Sequence, residues 1–326
     1  MMGAVIGADV GGTNTSAGLV TAAGEVLIEA QSPTHAAGPG RALDTIAGLV
    51  ETIRVGACAR GVSIDGIGLG LPGIIDAERG LVGEEIPHVP ELAGQPVAAM
   101  LAGRFGVPVF VDNDVNALAL AEWTFGEWRG VRSLVVLAPG TGFGSGIVLD
   151  GRLVRGAFGF GGEFGHTPVK FDGRPCWCGG RGCLAVYASG RGIAEAAREC
   201  AALPSGAGLA AAVGGDIASI GAPLVFTLAA EGDAGARAIV DEACQALGAM
   251  IGTVVNGLNP EVVLVTGGVA HAYAMLKGRI LEAAGEYALK RALAATRVSI
   301  VPGDKRVTMR GAAALVLYEL RRRGSA

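Results

Sequence analysis

Short apolar runs and longer segments of helical period alternate along this chain, and glycine turns separate them. Residues 4–10, 16–20 and 26–30 are β-rich runs across tight turns, which predicts an antiparallel meander. Residues 40–59 then carry apolar side chains close to the 3.6-residue period of a helix. The opening of the chain is therefore predicted to be three strands followed by a helix.

The elements after this opening keep alternating between strand and helix, which is typical of an α/β protein. The sequence predicts, in order, a strand within 64–73, a helix over 95–105, a buried strand over 108–111 and a helix over 114–125. A second unit is expected to begin after this helix.

The segment SLVVLAPGTGFGSGIVLDGRLV, residues 133–154, repeats the opening order of strand, Gly/Thr turn, strand, turn and strand. VIGADVGG and VVLAPGTG can be laid over each other, which suggests two related halves. No low-complexity linker separates them, so we expect a shared interface and a cleft. The rest is predicted as an irregular Gly/Cys segment (156–183), helices at 189–202 and 234–258, a strand at 262–266, a helix after Gly268, a strand near Val298 and a helix from Arg310.

Length, charge and hydropathy limit the classes of function that this chain can have. The chain has 326 residues, enough for two domains, and its net charge of −4 comes without a basic block, which argues against nucleic acid or a membrane as partner. The most apolar stretches, such as 203–230, are interrupted before about 18 residues accumulate, so we expect no transmembrane helix. No secretory signal opens the chain. We expect a cytoplasmic protein that acts on a small molecule.

Two glycine turns have the composition of phosphate-binding loops. In DVGGT (9–13) a strand ends at a turn whose backbone N–H groups can approach an anion, and Asp9 beside a phosphate indicates an intervening Mg²⁺. An ordinary hairpin turn is the alternative. APGTGFGSG (138–146) is a second such turn, and TGGVA (266–270) runs from a strand through glycines into a helix, as a third element bordering a nucleotide would.

Asn113 and Asp114, in VDNDVNA, follow a short strand and open a helix, so both are expected at the mouth of the cleft. The helix dipole keeps a carboxylate ionised at that position. The alternative is that Asp112 or Asp114 merely caps the helix.

Half of the six cysteines crowd into CWCGGRGC. With His166, the residues Cys176, Cys178 and Cys183 give H-x9-C-x-C-x4-C, a set that suits a closed, structural, tetrahedral zinc site. Three unpaired thiols in a turn are the alternative. The remaining cysteines, at positions 58, 200 and 244, lie in helix-like contexts and are predicted to be packed thiols.

The motifs together resemble the ROK family (repressor, open reading frame, kinase), whose kinases are bacterial sugar kinases on the actin-like ATPase fold. The resemblance covers almost the whole chain. It is carried, in the family's order, by DVGGT (9–13), LPGIID (71–76), VDNDVNALALAE (111–122), PGTGFGSGIV (139–148), GGEFGH (161–166), CWCGGRGC (176–183) and TGG (266–268).

This resemblance implies an α/β, duplicated, ribonuclease H-like fold of two domains with a zinc-binding insertion and a cleft between the domains. The small N-terminal domain is expected to comprise 1–116 plus about 305–326. The large domain is expected over 117–304, with a zinc knuckle at 166–183. The family also implies a homodimer.

The resemblance also implies residue roles. Asp114 is the expected catalytic base, Asn113 binds a sugar hydroxyl, and Asp112 is a cap or supporting group. Glu163 and His166 contact the sugar, and Gly73 belongs to the same substrate site. Zinc is expected on His166, Cys176, Cys178 and Cys183. ATP with Mg²⁺ is expected at Asp9, Gly11, Gly12, Thr13, Gly140, Thr141, Gly142, Gly267 and Gly268.

The sequence departs from the hexose-phosphorylating members of the family at Ala185, where they usually have a glutamate that hydrogen-bonds the sugar. Losing such a partner typically costs about 1.5–3 kcal/mol. Either ordinary hexoses bind more weakly, or the substrate is a cyclitol or modified sugar, or another acid such as Glu195 substitutes. A second departure is IPHVPELAGQPV (86–97), where surface-loop roles for His88 and Glu91 are favoured over substrate contacts.

The leading interpretation is ATP-dependent phosphorylation of a primary hydroxyl on a glucose-type hexose. The alternatives are a kinase for a modified sugar or cyclitol, a sugar-binding relative without catalysis, and use of polyphosphate as donor. A ROK transcriptional repressor is disfavoured because the sequence begins at the first strand, where repressors carry a helix-turn-helix.

Overall fold

The structure is a computed structural model that describes residues 3–84, 86 and 88–324, apart from the side chains of residues 305 and 306. Strands and helices alternate along it, as the sequence predicts. The strands are β1 (Ala4–Val10), β2 (Asn14–Val20), β3 (Val26–Pro33), β4 (Ile64–Leu71), β5 (Ile75–Asp76), β6 (Leu81–Val82), β7 (Val109–Asn113), β8 (Leu134–Pro139), β9 (Phe143–Leu149), β10 (Arg152–Leu153), β11 (Val262–Val265) and β12 (Arg297–Ile300). The helices are α1 (Ala42–Ala59), α2 (Val97–Phe105), α3 (Asp114–Phe125), α4 (Ala185–Ala188), α5 (Gly190–Ala201), α6 (Ala207–Ala212), α7 (Ala222–Glu231), α8 (Ala234–Leu258), α9 (Ala270–Met275), α10 (Lys277–Tyr287), α11 (Lys290–Ala295) and α12 (Lys305–Gly324).

The first sheet has the strand order β3-β2-β1-β4-β7. β1, β2 and β3 form the predicted antiparallel meander, whereas β4 runs parallel to both β1 and β7. The register aligns Asp9 with Gly70 and Gly70 with Asp112. The carboxyl ends of these three parallel strands therefore meet at one edge of the sheet.

The second sheet has the order β10-β9-β8-β11-β12, in which β11 is parallel to β8 and β12. Both sheets thus follow the same succession of third, second, first, fourth and fifth strand. This shared order confirms the prediction of two related halves. The chain divides into two compact units. The first unit contains residues 1–132, 146–162 and 304–326, and the second unit contains residues 133–145 and 163–303. The domain boundaries derived from the family resemblance stay a prediction.

Helix α12 lies directly on the first sheet. A Cβ atom on Gly68 of β4 would lie 1.9 Å from the carbonyl oxygen of Ala312, and one on Gly7 of β1 would lie 2.2 Å from that of Met309. Residues 312–317 of the helix are buried. Glycine at these two strand positions therefore allows a backbone-to-backbone approach that any side chain would prevent.

Helix α8 is long and apolar enough to resemble a membrane span, which the sequence analysis did not anticipate. Its most apolar 18-residue segment is 67% buried within the second unit, where the helix packs against α5, α7 and α10. Helix α8 is therefore apolar because it is a core helix of the second unit.

Two sequence expectations are corrected here. Helix α12 begins at Lys305 rather than Arg310. Cys58 is exposed rather than packed, because it follows the buried Ala57 on α1 and so lies about 100° further around the helix. Cys244 is buried, as expected, and Cys200 is half-buried.

The close approach of α12 to β4 predicts that Gly68→Ala lowers the free energy of unfolding by about 1–3 kcal/mol, because the new methyl group overlaps the Ala312 carbonyl. Denaturant titration measures this change. Gly103→Ala is the matched control: Gly103 is exposed within α2 and has no atom near its Cβ position, so we expect a gain of about 0.5–1 kcal/mol. Equal effects of the two substitutions would contradict the proposed packing.

Candidate active site

The predicted site residues of the first unit lie at the sheet edge where β1, β4 and β7 end. β1 leads into the DVGGT turn, β4 into the turn that contains Gly73, and β7 into Asn113 and Asp114. Two strand spacings separate β1 from β7, so the backbones of Asp9 and Asp112, which the register aligns, are roughly 10 Å apart, and Asp114 follows two residues later. Ligands of α/β proteins characteristically bind at this kind of edge.

The DVGGT turn is held by hydrogen bonds at Gly11, whereas the backbone N–H groups that follow are available to a ligand. The Gly11 N–H donates to the Asn14 carbonyl at 3.0 Å, and the Thr34 hydroxyl donates to the Gly11 carbonyl at 2.6 Å. Within the described part of the chain, the N–H groups of Gly12 and Thr13 have no hydrogen-bond acceptor. Two unsatisfied backbone donors at an exposed glycine turn are suited to an anion such as a phosphate.

Asp9 lies at the end of β1, just before this turn, and is half-buried. Burial raises the pKa of its carboxyl, and a 2.7 Å hydrogen bond from the Thr308 hydroxyl opposes that rise. A half-buried carboxylate beside an anion-binding turn has the chemistry of a Mg²⁺-phosphate site, since the cation would offset both the desolvation of the carboxylate and the repulsion between the two anions.

The two candidate residues of the segment 86–97, Glu91 and His88, have different structural roles. Glu91 accepts a hydrogen bond from the Ala42 N–H at 3.2 Å and lies 3.1 Å from His35 Nδ1, so it holds the start of α1. His88 packs against the DVGGT turn, because a Cβ atom on Gly12 would lie 2.8 Å from the Cβ atom of His88. Glu91 thus has the structural role that the sequence analysis favoured, whereas His88 borders the candidate site.

Asn113, rather than Asp112 or Asp114, caps helix α3. Its Oδ1 accepts from the N–H groups of Val115 and Asn116 at 2.9 and 3.2 Å, and its Nδ2 donates to the Gly73 carbonyl at 3.0 Å. This leaves one amide hydrogen for which the described residues provide no acceptor. Asp114 is the first residue of the helix, and its Oδ1 accepts from the Val115 N–H at 2.9 Å.

Asp112 belongs to a buried network that the sequence analysis missed. Its Oδ1 accepts from the Asn113 N–H and the Asn116 side chain, and its Oδ2 accepts from Arg155 Nε at 2.7 Å. Arg155 also donates to Glu319 at 2.8 Å.

Burial alone would lower the pKa of Arg155, but the charges of Asp112 and Glu319 outweigh that effect and raise it. The two acids are 2% and 4% exposed. Arg155 is the cation paired with Asp112, and it shares the compensation of Glu319 with Arg322, which lies 2.9 Å from that carboxylate. No sequence spacing relates the three residues, since they come from β7, the segment after β10, and α12.

The second glycine turn lies in the second unit and resembles the first. The Gly140 N–H donates to the Gly142 carbonyl, and the Gly190 and Arg191 N–H groups donate to the Gly140 and Thr141 carbonyls. The N–H groups of Thr141 and Gly142 find no acceptor among the described residues.

The TGG segment packs beside this second turn. The Val269 N–H donates to the Pro139 carbonyl at 2.9 Å. Gly267 has φ +134°, and a Cβ there would lie 2.7 Å from the Pro139 oxygen. Only glycine fits this position. The two glycine segments therefore lie together where the parallel strands β8 and β11 end.

His166, Cys176, Cys178 and Cys183 converge as the sequence predicted, with their ligand atoms within 4.8 Å of one another. Zn–S bonds of 2.3 Å at the tetrahedral angle would place two sulfurs about 3.8 Å apart. The Sγ atoms of Cys178 and Cys183 are 3.8 Å apart, and Cys176 Sγ lies 3.7 Å from His166 Nδ1. The cluster therefore fits a tetrahedral metal ion, with His166 Nε2 left for another partner.

The remaining predicted sugar contact, Glu163, is exposed and immediately precedes the short 3₁₀ helix that carries His166. The Glu163 carbonyl accepts from the His166 N–H at 3.0 Å, so the two residues share one turn. Ala185 is 1% exposed and opens α4 directly after the cysteine cluster. Glu195, the suggested substitute acid, is paired with Arg191 at 2.7 Å.

The ROK family model matches residues 5–319 of this chain. The chain belongs to the ROK family. It is 34% identical over 312 residues to a glucokinase of Thermotoga maritima, with 96% of each chain covered.

Solved ROK structures have the same fold. A ROK hexokinase from Thermus thermophilus has a TM-score of 0.82 and 31% identity, covering 98% of this chain and 99% of the other. A ROK glucokinase from Streptomyces griseus, solved with glucose and AMPPNP, has a TM-score of 0.74 and 28% identity, covering 95% and 98%. The resemblance to the ROK family that the motifs indicate is therefore confirmed.

The buried network predicts that Arg155→Met costs about 3–5 kcal/mol of stability, because Asp112 would keep a buried charge without its cation and Glu319 would lose one of its partners. Denaturant titration at neutral pH measures the loss. Arg79→Met is the control, since Arg79 is 78% exposed and faces Asp76 at 3.8 Å, and its effect should stay within about 0.5 kcal/mol. A loss at Arg155 no larger than at Arg79 would refute the network's importance.

Proposed function

We propose that this ROK protein is a glucokinase-like sugar kinase that transfers a phosphoryl group from ATP to a primary hydroxyl of a hexose. The observation that carries the proposal is the sheet edge where an anion-binding turn and Asp114 occur two strands apart. Similarity to a glucokinase over 96% of the chain supports it. The relatives favour this function over a cyclitol kinase or a sugar sensor without catalysis.

In the proposed reaction Asp114 accepts the proton of the attacking hydroxyl. Its place at the N-terminus of α3 stabilises the ionised form that a base requires. The amide hydrogen left on Asn113 donates to a neighbouring sugar hydroxyl, while the Asn113 cap and the Gly73 contact fix the orientation of that amide. Phosphoryl transfer depends mainly on such positioning.

In the first unit, the N–H groups of Gly12 and Thr13, which have no acceptor among the described residues, would bind a phosphate of ATP. In the second unit, the N–H groups of Thr141 and Gly142 are suited to a phosphate in the same way. Gly11 and Gly140 shape these turns, and Gly267 with Gly268 would border the nucleoside. Asp9 would help hold Mg²⁺, which neutralises charge on the phosphates during transfer.

For the cysteine cluster we propose a structural zinc ion on His166, Cys176, Cys178 and Cys183. The ligand set and its 3.7–3.8 Å separations support this assignment. A metal on His166 Nδ1 would orient the ring so that Nε2 can contact the sugar, and it would order the turn that carries Glu163. Zinc would thus act on the sugar side of the site.

Glucose is the proposed substrate by similarity, although the buried Ala185 offers no carboxylate to it. A cytoplasmic location would supply both ATP and the reducing conditions that three zinc-binding thiolates need. The homodimer stays a prediction from the family.

The proposed base predicts that Asp114→Asn lowers kcat by about 10²- to 10⁴-fold with little change in KM for glucose or ATP, because the amide keeps the shape but cannot accept the proton. ADP release with ATP, Mg²⁺ and glucose measures this change. Asp44→Asn is the control: this acid is exposed in the first turn of α1 and should leave kcat unchanged.

Two outcomes would count against the proposal. A wild-type rate in the Asp114 variant would remove that residue from proton transfer. No ADP release by the wild type with glucose, mannose, N-acetylglucosamine or a cyclitol would contradict the kinase assignment with ATP, and polyphosphate is then the donor to test.

The zinc proposal predicts that Cys178→Ser reduces bound zinc from about one ion per chain to nearly none, because a hydroxyl replaces a thiolate ligand. Metal analysis of the purified protein measures the ion. Loss of order at Glu163 should raise KM for glucose roughly 10- to 100-fold, the cost of a charged hydrogen bond. Binding of a non-hydrolysable ATP analogue should be retained.

Cys58→Ser provides the matched control, because Cys58 is also exposed but lies on α1, away from the cluster in sequence. It should keep its zinc and its KM. A zinc-free, folded Cys178 variant with unchanged KM for glucose would show that the metal does not order the sugar site.

A further inference from the structure

A cavity of about 770 Å³ lies within the first unit, beside the strand-and-loop segment that contains β10 and the C-terminal turns of α12. None of the residues proposed to contact ATP or the sugar lines it. The lining side chains that matter are Trp123, Tyr318, Arg152, Arg155, Arg321 and Arg322.

Positive charge is concentrated in this cavity. Its lining contains four arginines against one acid, Glu78, in a chain whose net charge is −4. Volumes of a few hundred cubic ångströms accommodate small metabolites. Arginine is the side chain best suited to bind phosphate, because its planar fork donates two parallel hydrogen bonds.

Part of this charge has an ordinary structural explanation. Arg322 pairs with Glu78 and Glu319 at 2.8 and 2.9 Å, and arginines in the last turn of α12 complement its helix dipole. Arg155 is compensated by Asp112 and Glu319.

Neither an ion pair nor a helix dipole accounts for the positive charge of Arg152 at this cavity. It comes from β10, outside any helix, is exposed, and forms no ion pair with any residue that the structure describes. Its cation thus faces the same cavity as Arg321 and Arg322, and an entering anion would compensate the charge of Arg152.

The cavity is connected to the proposed catalytic turn through one side chain. Arg155 lines the cavity and donates to Asp112 at 2.7 Å, and Asp112 accepts from the N–H of Asn113 at 2.8 Å. An anion bound in the cavity would compete with Asp112 for the Arg155 guanidinium. Weakening this contact would loosen the residue that precedes Asn113 and Asp114.

We propose that this cavity is a regulatory site for a small organic phosphate. The phosphate binds the arginines, with Arg152 as the contact specific to the ligand, and the organic part packs against Trp123 and Tyr318. Occupancy lowers the turnover of the kinase through Arg155 and Asp112.

Phenyl phosphate is a suitable probe, because it combines a phosphate with a flat apolar ring. Calorimetric titration is carried out on the wild type saturated with Mg²⁺, glucose and a non-hydrolysable ATP analogue, which occupies the phosphate turns. We expect binding of phenyl phosphate, weaker binding of inorganic phosphate, and none of phenol. Arg152→Gln should weaken the binding of phenyl phosphate roughly 10- to 100-fold.

Arg60→Gln is the matched control, since Arg60 is an exposed arginine of the same unit just after α1. It should bind phenyl phosphate like the wild type. Absence of binding to the wild type, or equal binding by the Arg152 and Arg60 variants, would overturn the site. This readout does not depend on catalysis, so it can fail while the proposed kinase activity holds, and the reverse.

The rate measurement tests the connection to catalysis. Phenyl phosphate should lower kcat for glucose phosphorylation in the wild type at least about twofold and leave kcat of the Arg152→Gln variant unchanged, whereas competition at the ATP site would raise KM for ATP instead. The variant should have the basal kcat of the wild type. Binding without a change in kcat would overturn the regulatory role.

Discussion

The first unit depends on the direct contact between helix α12 and the first sheet. Glycines on β1 and β4 remove the side chains that would otherwise separate the helix from the strands. The approach places Thr308 where its hydroxyl reaches Asp9, and it places Glu319 against Arg155. Helix α12 therefore supports both the DVGGT turn after β1 and the network behind β7.

Much of this architecture is predictable because it depends on local patterns. Apolar runs and glycine turns indicate β1, β2, β3 and β8, and a helical period indicates α1, whose bounds, Ala42–Ala59, lie within the predicted 40–59. The cysteine cluster is equally local, because eight residues contain three of its four ligands.

The features that sequence reasoning missed depend on tertiary structure. Asp112 and Arg155 are 43 residues apart, and Asp9 and Thr308 are 299 apart, so no spacing relates them. The sequence offers Asp112 and Asp114 as alternative caps of α3 because aspartate is a good cap residue, whereas in the structure the contact of Asn113 with Gly73 gives the amide the better position. Helix α7 was missed because its apolar, alanine-rich sequence shows little periodicity.

The Asp112–Arg155 pair also explains how two aspartates can flank Asn113 and have different functions. Two neighbouring carboxylates would normally repel, and one of them would tend to hold a proton. Here Arg155 and the donors on Asn113 and Asn116 compensate the charge of Asp112, so it adds little repulsion at Asp114. Asp114, at the start of α3, lies where the helix dipole favours a negative charge. A buried arginine behind the site thus compensates the first acid, which supports the turn, while the second acid is left to the proposed role of base.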